Sequence, residues 1–247
     1  WETAPTKFKR FDRLVGVTVN SLDQLGQHDN ADELLARFEQ TIPKKTARFI
    51  GYCDIRAYSH WVRLDFAQAI EWASKGVDLK NQTNVDTTYD CGHSLALAQR
   101  DNGDPQTALK YFLKGHDLAD LTDPESGVAQ DDGPTLGNVG RCLHLMGDFR
   151  GALNCYRKSI RALQNDGTSD RVGNRAYARQ WIGEVLEHEG EYKLATAFLQ
   201  DAVTVLGKSS PIRTTSLLQS IDQLKTLRAT NVTSNEAARI VDRWIKQ

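Results

Sequence analysis

The chain has no long apolar run. None of its 247 residues lies in an uncharged hydrophobic stretch near the ~18–20 residues a membrane span requires, and no charged-then-apolar leader opens it. It begins at Trp1 rather than Met, which reads as a piece of a longer polypeptide and leaves room for an upstream domain. Charge of one sign is also missing. Lys and Arg number 31 against 32 Asp and Glu, for a formal net charge of −1, so no global field argues for nucleic acid or an anionic membrane as partner. Proline is scarce, at six, and 26% of residues are charged, a balance that speaks against extended disorder. The four cysteines, Cys53, Cys91, Cys142 and Cys155, form no CxxC pair and have no histidine at zinc-site spacing. Each falls in or beside an expected helix. They read as buried, reduced thiols of a reducing, cytoplasmic setting. Segments of the form GxxxxGK[ST], HExxH and GxSxG are absent. The expectation is therefore a protein that is not an enzyme, with no cofactor and no metal.

What the chain does contain is a helical hairpin written five times. Apolar residues recur at helical spacing. The first hairpin runs from Phe11 to Pro43 and is degenerate: it turns at Gly26-Gln27-His28, with Asp29 or Asn30 as an N-cap and Pro43 as the stop. The second spans Thr46 to Leu79 and turns at Leu64-Asp65-Phe66. The third spans Thr88 to Leu121, with Thr87 or Thr88 as cap and a turn at Gly103-Asp104-Pro105. The fourth, Pro134 to Leu163, is the best formed and turns at Met146-Gly147-Asp148. The fifth, Asn174 to Leu206, turns at Gly190-Glu191-Tyr192. Between the third and fourth lies an acidic connection, with Asp117, Asp120, Asp123, Glu125, Asp131 and Asp132 but no lysine or arginine. It lacks the alternating ligands and glycine of a calcium loop and reads as a solvated link. Residues 1–10 read as a frayed start. Two weaker helices, Ile212–Arg228 and Ser234–Ile245, follow the repeats.

Aligning the turns gives a common register. With the fourth turn aligned as Gly147-Asp148-Phe149, three residues beyond each turn triplet stands an alanine: Ala69, Ala108, Ala152 and Ala195. Seven residues before each turn stands a small residue: Ala57, Ala96, Gly140 and Gly183. Four beyond the alanine come Ala73, Phe112, Tyr156 and Leu199, and three further on Gly76, Gly115, Ser159 and Ala202. Small residues at such points let helices approach closely, and the larger ones fill the gap.

This set resembles the tetratricopeptide repeat, in a long-period form similar to kinesin light chains, Pins-type spindle-orientation adaptors and the repeat segments of signalling NTPases. The period exceeds the common ~34 residues, and no proline closes the repeats. The resemblance implies an all-α fold: a right-handed α-solenoid of about five hairpins, treated as one domain over residues 1–247, with repeats at 11–206 and capping helices at 211–247. It also implies a concave face lined by the first helix of each pair, where a peptide or protein partner lies. The candidate partner-binding residues are then Asp54, Tyr58 and Trp61; His93 and Arg100; Asn138, Arg141 and His144; and Tyr177, Gln180 and Glu184. Asn138 sits in an LGNLG-like segment, Leu136 to Gly140, where its amide would either pair with a ligand backbone or serve a helix-capping or inter-repeat bond. Trp61 and Trp181 would be exposed anchors or core. The lysine–asparagine clamp that holds C-terminal carboxylates is missing. Asp54, Tyr58, His93, Leu97, Gly137 and Arg141 occupy its positions. The function implied is a non-catalytic interaction module with a protein or peptide ligand, no nucleic acid and no membrane. The alternative is a sensor segment of a larger signalling NTPase, in contact with an upstream domain of its own chain.

Overall fold

A computed structural model of the chain describes residues 11–113, 115–126, 133–164, 170–207 and 210–246. The expected frayed start, Asp131 and Asp132, and residues 165–169 of the polar link after the fourth hairpin lie outside them. Among the described residues there are thirteen helices and no strand. They are α1 (Phe11–Gln24), α2 (His28–Gln40), α3 (Ala47–Val62), α4 (Phe66–Thr83), α5 (Cys91–Asp101), α6 (Pro105–Leu113), α7 (Leu118–Thr122), α8 (Gly133–Leu145), α9 (Phe149–Gln164), α10 (Asp170–His188), α11 (Tyr192–Leu206), α12 (Pro211–Arg228) and α13 (Ser234–Lys246). The fold is all-α, and neighbouring helices pack in pairs. No described helix is long and apolar enough to cross a membrane.

One local device closes every hairpin. The backbone N–H three residues past the end of the first helix reaches back five positions: Gln27 to Leu22 O, Asp65 to His60 O, Asp104 to Gln99 O, Asp148 to Leu143 O and Glu191 to Leu186 O, all at 2.8–2.9 Å. This closure places the preceding residue in the left-handed region, where glycine has no Cβ to clash. Gly26, Gly103, Gly147 and Gly190 take it at φ 74°, 95°, 85° and 82°, and in the second hairpin Leu64 takes it at 64°. The acid of the turn then caps the second helix. Asp65, Asp104 and Asp148 accept from the backbone N–H of Gln68, Thr107 and Gly151 at 3.3, 3.1 and 2.9 Å.

The chain divides into two compact units, Trp1–Tyr111 and Phe112–Gln247. In the first, α1 packs on α2 and α3, α3 packs on α4 and α5, and α4 packs on α5. Close approach depends on small residues. A Cβ on Gly76 would stand 2.3 Å from Cys91 Sγ, and one on Gly51 2.4 Å from the Tyr89 ring. The core is Phe11, Val15, Val19, Leu35, Phe38, Phe49, Ile50 and Tyr52, with Phe38 and Phe49 on either side of Tyr52 at 6.2 and 5.6 Å.

In the second unit α8 pairs with α9, α10 with α11, and α8 and α9 both meet α10. A Cβ on Gly140 would meet the Tyr156 ring at 2.7 Å, and one on Gly183 would meet Leu199 at 2.9 Å, which is why these helix interiors hold glycine. The last two helices both pack on α11. In addition α13 returns to α9: Arg157 lies 4.1 Å over Trp244, and Arg161 Nε donates to Ile245 O at 2.8 Å. All four cysteines are buried thiols.

Several expected details differ. The first residue of α2 is His28, with Gln27 as N-cap rather than Asp29 or Asn30, and α2 ends at Gln40, before Pro43. Helix α5 is capped by Asp90, not Thr87 or Thr88. Gly115 is not an interhelix contact: it has φ 90° just beyond α6, and a Cβ there would meet nothing. The acidic connection contains α7. Its Leu121 is buried, and its Asp120 carbonyl accepts from Lys158 Nζ at 2.9 Å, so part of the link is packed structure.

Candidate partner-binding surface

The candidate residues stand on the first helix of each hairpin, at fixed distances before the turn residue. Ten before it are Asp54, His93 and Gln180. Six before it are Tyr58, Arg141 and Glu184. Three before it are Trp61, Arg100 and His144.

In the second unit these positions join. Arg141 of α8 and Glu184 of α10, at the same register, form an ion pair with Nη1 to Oε2 at 2.6 Å. Gln180 Nε2 donates to the other Glu184 oxygen at 2.8 Å, and Gln180 Oε1 accepts from Arg213 Nε and Nη2 at 3.1 and 3.0 Å. Aromatic rings underlie this polar chain. The Arg141 guanidinium lies 5.5 Å over Trp181, the Arg213 guanidinium lies over Tyr177, Tyr177 stacks on Trp181 at 5.2 Å, and Trp181 is 5.7 Å from Tyr156. His144 Nδ1 lies 3.1 Å from Arg141 Nη1, a pure donor, so the imidazole proton belongs on Nε2. Burial first, and the Arg141 charge second, depress His144 to about 4, against a smaller opposing pull from Glu184. His144 is thus neutral near pH 7. The cluster presents forked donors, a carboxylate, an amide and ring faces.

In the first unit the candidates form inter-helix bonds. Ser94 Oγ donates to Asp54 Oδ1 at 2.6 Å, and burial raises the Asp54 carboxyl above its usual range despite that bond. Trp61 Nε1 donates to Asp101 Oδ2 at 2.8 Å. Arg100 grips the same carboxylate from Nε and Nη2 at 2.8 and 2.7 Å. The Tyr58 ring is 5.2 Å from Trp61. His93 meets Tyr111 edge-on at 6.3 Å, and Tyr111 Oη donates to Asp90 Oδ2 at 2.5 Å.

Three candidates are buried instead of lining an open face: Trp61, Arg100 and Asn138 are 8%, 1% and 9% exposed. Trp181 is 8% exposed as well, so neither tryptophan is an open anchor. The register explains Asn138. It stands nine residues before its turn, where Ile55, Ser94 and Trp181 stand in other hairpins. Ile55 packs on Gly16, Ser94 bonds Asp54, and Trp181 meets Tyr156, so this register position is one that other hairpins use for packing between helices. Arg100 is buried because Asp101 supplies its counter-charge inside the fold. Asp54, Tyr58, His93, Arg141, His144, Tyr177, Gln180 and Glu184 are half-buried and keep some contact with solvent. Asp101, Tyr111 and Arg213 complete these clusters and were not singled out from sequence. Only the adjacency of Asp101 to Arg100 could have pointed to one of them.

Among the described residues no group of three or more His, Cys, Asp or Glu could hold a metal ion. The chain matches no protein-family model and no curated protein.

Proposed function

We propose that the helix pairs are tetratricopeptide-like repeats of a right-handed α-solenoid, and that the chain is a non-catalytic interaction module for a peptide or protein partner. The supporting observation is the Arg141–Glu184 pair with its neighbours Gln180, Tyr177 and Arg213. Equivalent positions on successive first helices bring charge, amide and aromatic faces together where solvent still reaches them. Such a face recognises a partner of mixed charge by matched hydrogen bonds and by ring contacts that cost little side-chain entropy on binding.

The test is affinity purification from the native host with wild type and with Arg141→Ala/Glu184→Ala. Removing both members of the pair avoids leaving a half-buried charge alone. Loss of a specific partner, with the helical circular-dichroism signal intact, is the expected result. Unchanged recovery of every wild-type partner would sink the assignment.

A further inference from the structure

A second cluster lies in the first unit, on none of the positions used above. It involves α2, α3, α4 and the link between α2 and α3. The Phe49 ring carries Lys44 Nζ at 4.1 Å and Lys75 Nζ at 5.4 Å. The neighbouring Trp72 ring carries Lys75 Nζ at 4.4 Å and the Arg56 guanidinium at 4.9 Å. Tyr52 joins the two rings, at 5.6 Å from each. Three cations are thus seated along one aromatic strip.

Their counter-charge is incomplete. Glu39 is the carboxylate in contact; it pairs with Lys44 and accepts from Tyr52 Oη at 2.7 Å. Its pKa is lowered, chiefly by the bond from Lys44. Among the described residues Lys75 has no carboxylate within ion-pair distance, and Arg56 bonds only Tyr52 Oη, at 3.3 Å. The Arg56 Nε is buried with no acceptor, and a buried donor left in that state is costly unless something supplies one. A fold that needed only internal balance would set a second acid here, as it does with Asp101 beside Arg100.

We propose that this strip is a docking site for an acidic protein segment, one bearing several Asp or Glu side chains. The cations come from three separate elements and are spread over two rings; Lys44 already has Glu39, so Arg56 and Lys75 are the two that can each meet a carboxylate of the segment. The forked Arg56 can take its carboxylate with two hydrogen bonds. The ring faces hold the cationic heads in place, Phe49 and Tyr52 from within the core, and the half-buried Trp72 gives the segment's side-chain stems an apolar surface. This site is independent of the Arg141–Glu184 surface.

The experiment is titration calorimetry of the full chain with hexaglutamate at low ionic strength, where screening is weak. Wild type is expected to bind. The exposed Lys75→Glu change should weaken binding about tenfold or more, because it turns one attraction into a repulsion. Lys75→Arg should retain binding, and Lys225→Glu, an exposed reversal on α12, should leave it unchanged. Absence of heat with wild type would overturn the proposal. So would equal weakening by Lys75→Glu and Lys225→Glu, or inorganic phosphate binding as tightly as hexaglutamate, which would make the site a phosphate site. The Arg141→Ala/Glu184→Ala variant should bind hexaglutamate like wild type.

Discussion

The first unit joins its first helices through carboxylates, and the second joins α9 to α10 through rings. Asp23 accepts from Ser59 and Arg63, Asp54 from Ser94, and Asp101 from Trp61, each across a helix–helix seam, and Asp101 also holds its chain neighbour Arg100. In the second unit the ring seam runs from Tyr156 of α9 to Trp181 and Tyr177 of α10, and one ion pair, Arg141–Glu184, joins the first helices α8 and α10. Both solutions let hairpins stack. They differ in what breaks them: the first is sensitive to any loss of a partner for a buried charge, the second to any loss of volume.

The largest expected effect is in the second unit. Tyr156→Ala, at a fully buried residue, removes the ring that fills the space over Gly140. It should cost about 3–5 kcal/mol in urea unfolding, with loss of amide protection concentrated in α8–α11. Next comes the seam of the first unit. Asp101→Ala takes a carboxylate from Arg100, 1% exposed, and from Trp61. It should cost about 3 kcal/mol, and pairing it with Arg100→Met should recover part of the loss.

Acid acts in opposite directions at His144 and at Asp54. His144 is held at about 4, with Arg141, Glu184 and His188 as the charges near it and Tyr156 and Phe149 against its ring. The stability tied to its neutrality is fully present above the unfolded value of about 6.5 and is lost as pH falls toward 4; allowing for partial solvent contact, about 2 kcal/mol is at stake. Asp54 has a raised folded pKa, so what it costs at neutral pH is recovered on acidification. Denaturant titrations at pH 7 and pH 4.5, read by exchange in α8–α10, should therefore show the loss tied to His144, whereas in the first unit the gain at Asp54 is opposed by the lowered His60 and Glu39. His144→Gln should flatten the acid loss in the second unit alone.

The smallest effect probes the shared turn. Leu64 is 74% exposed and sits where the other hairpins have glycine. Leu64→Gly should stabilise the first unit by up to about 1 kcal/mol, the left-handed strain offsetting the extra freedom of the unfolded glycine. Gly147→Leu should destabilise the second by about 1–2 kcal/mol. Melting temperatures moving in opposite directions would confirm that the two turns differ only in this residue.

The turns were legible in the sequence because a left-handed residue and a capping acid leave a local mark, and that mark repeats. The small residues Gly140 and Gly183 were legible for the same reason. Arg100 was not, since nothing beside it in the chain says that a neighbouring tryptophan shares its carboxylate. Helix α7 was hidden because one short turn with a single buried leucine has too little periodicity to stand out from an acidic link. Asn138 is expected on an open face but is buried, at a register position that other hairpins use for packing between helices. The cationic strip on Phe49 and Trp72 was invisible, because its three charges lie on separate elements and converge only after folding.

The cysteines described as buried thiols have one further consequence. Cys53 and Cys91 both lie against Gly76 in the first unit, and Cys142 and Cys155 sit in the helix pair α8–α9 of the second. Burial pushes Cys53 up to about 11 and Cys155 up to about 12, so in the folded chain these sulfurs are shielded and poor nucleophiles. An alkylating reagent can reach them only through transient opening. Nature has supplied each unit with two silent stopwatches, and a pulse of reagent followed by mass spectrometry would time the breathing of either unit without a single engineered label.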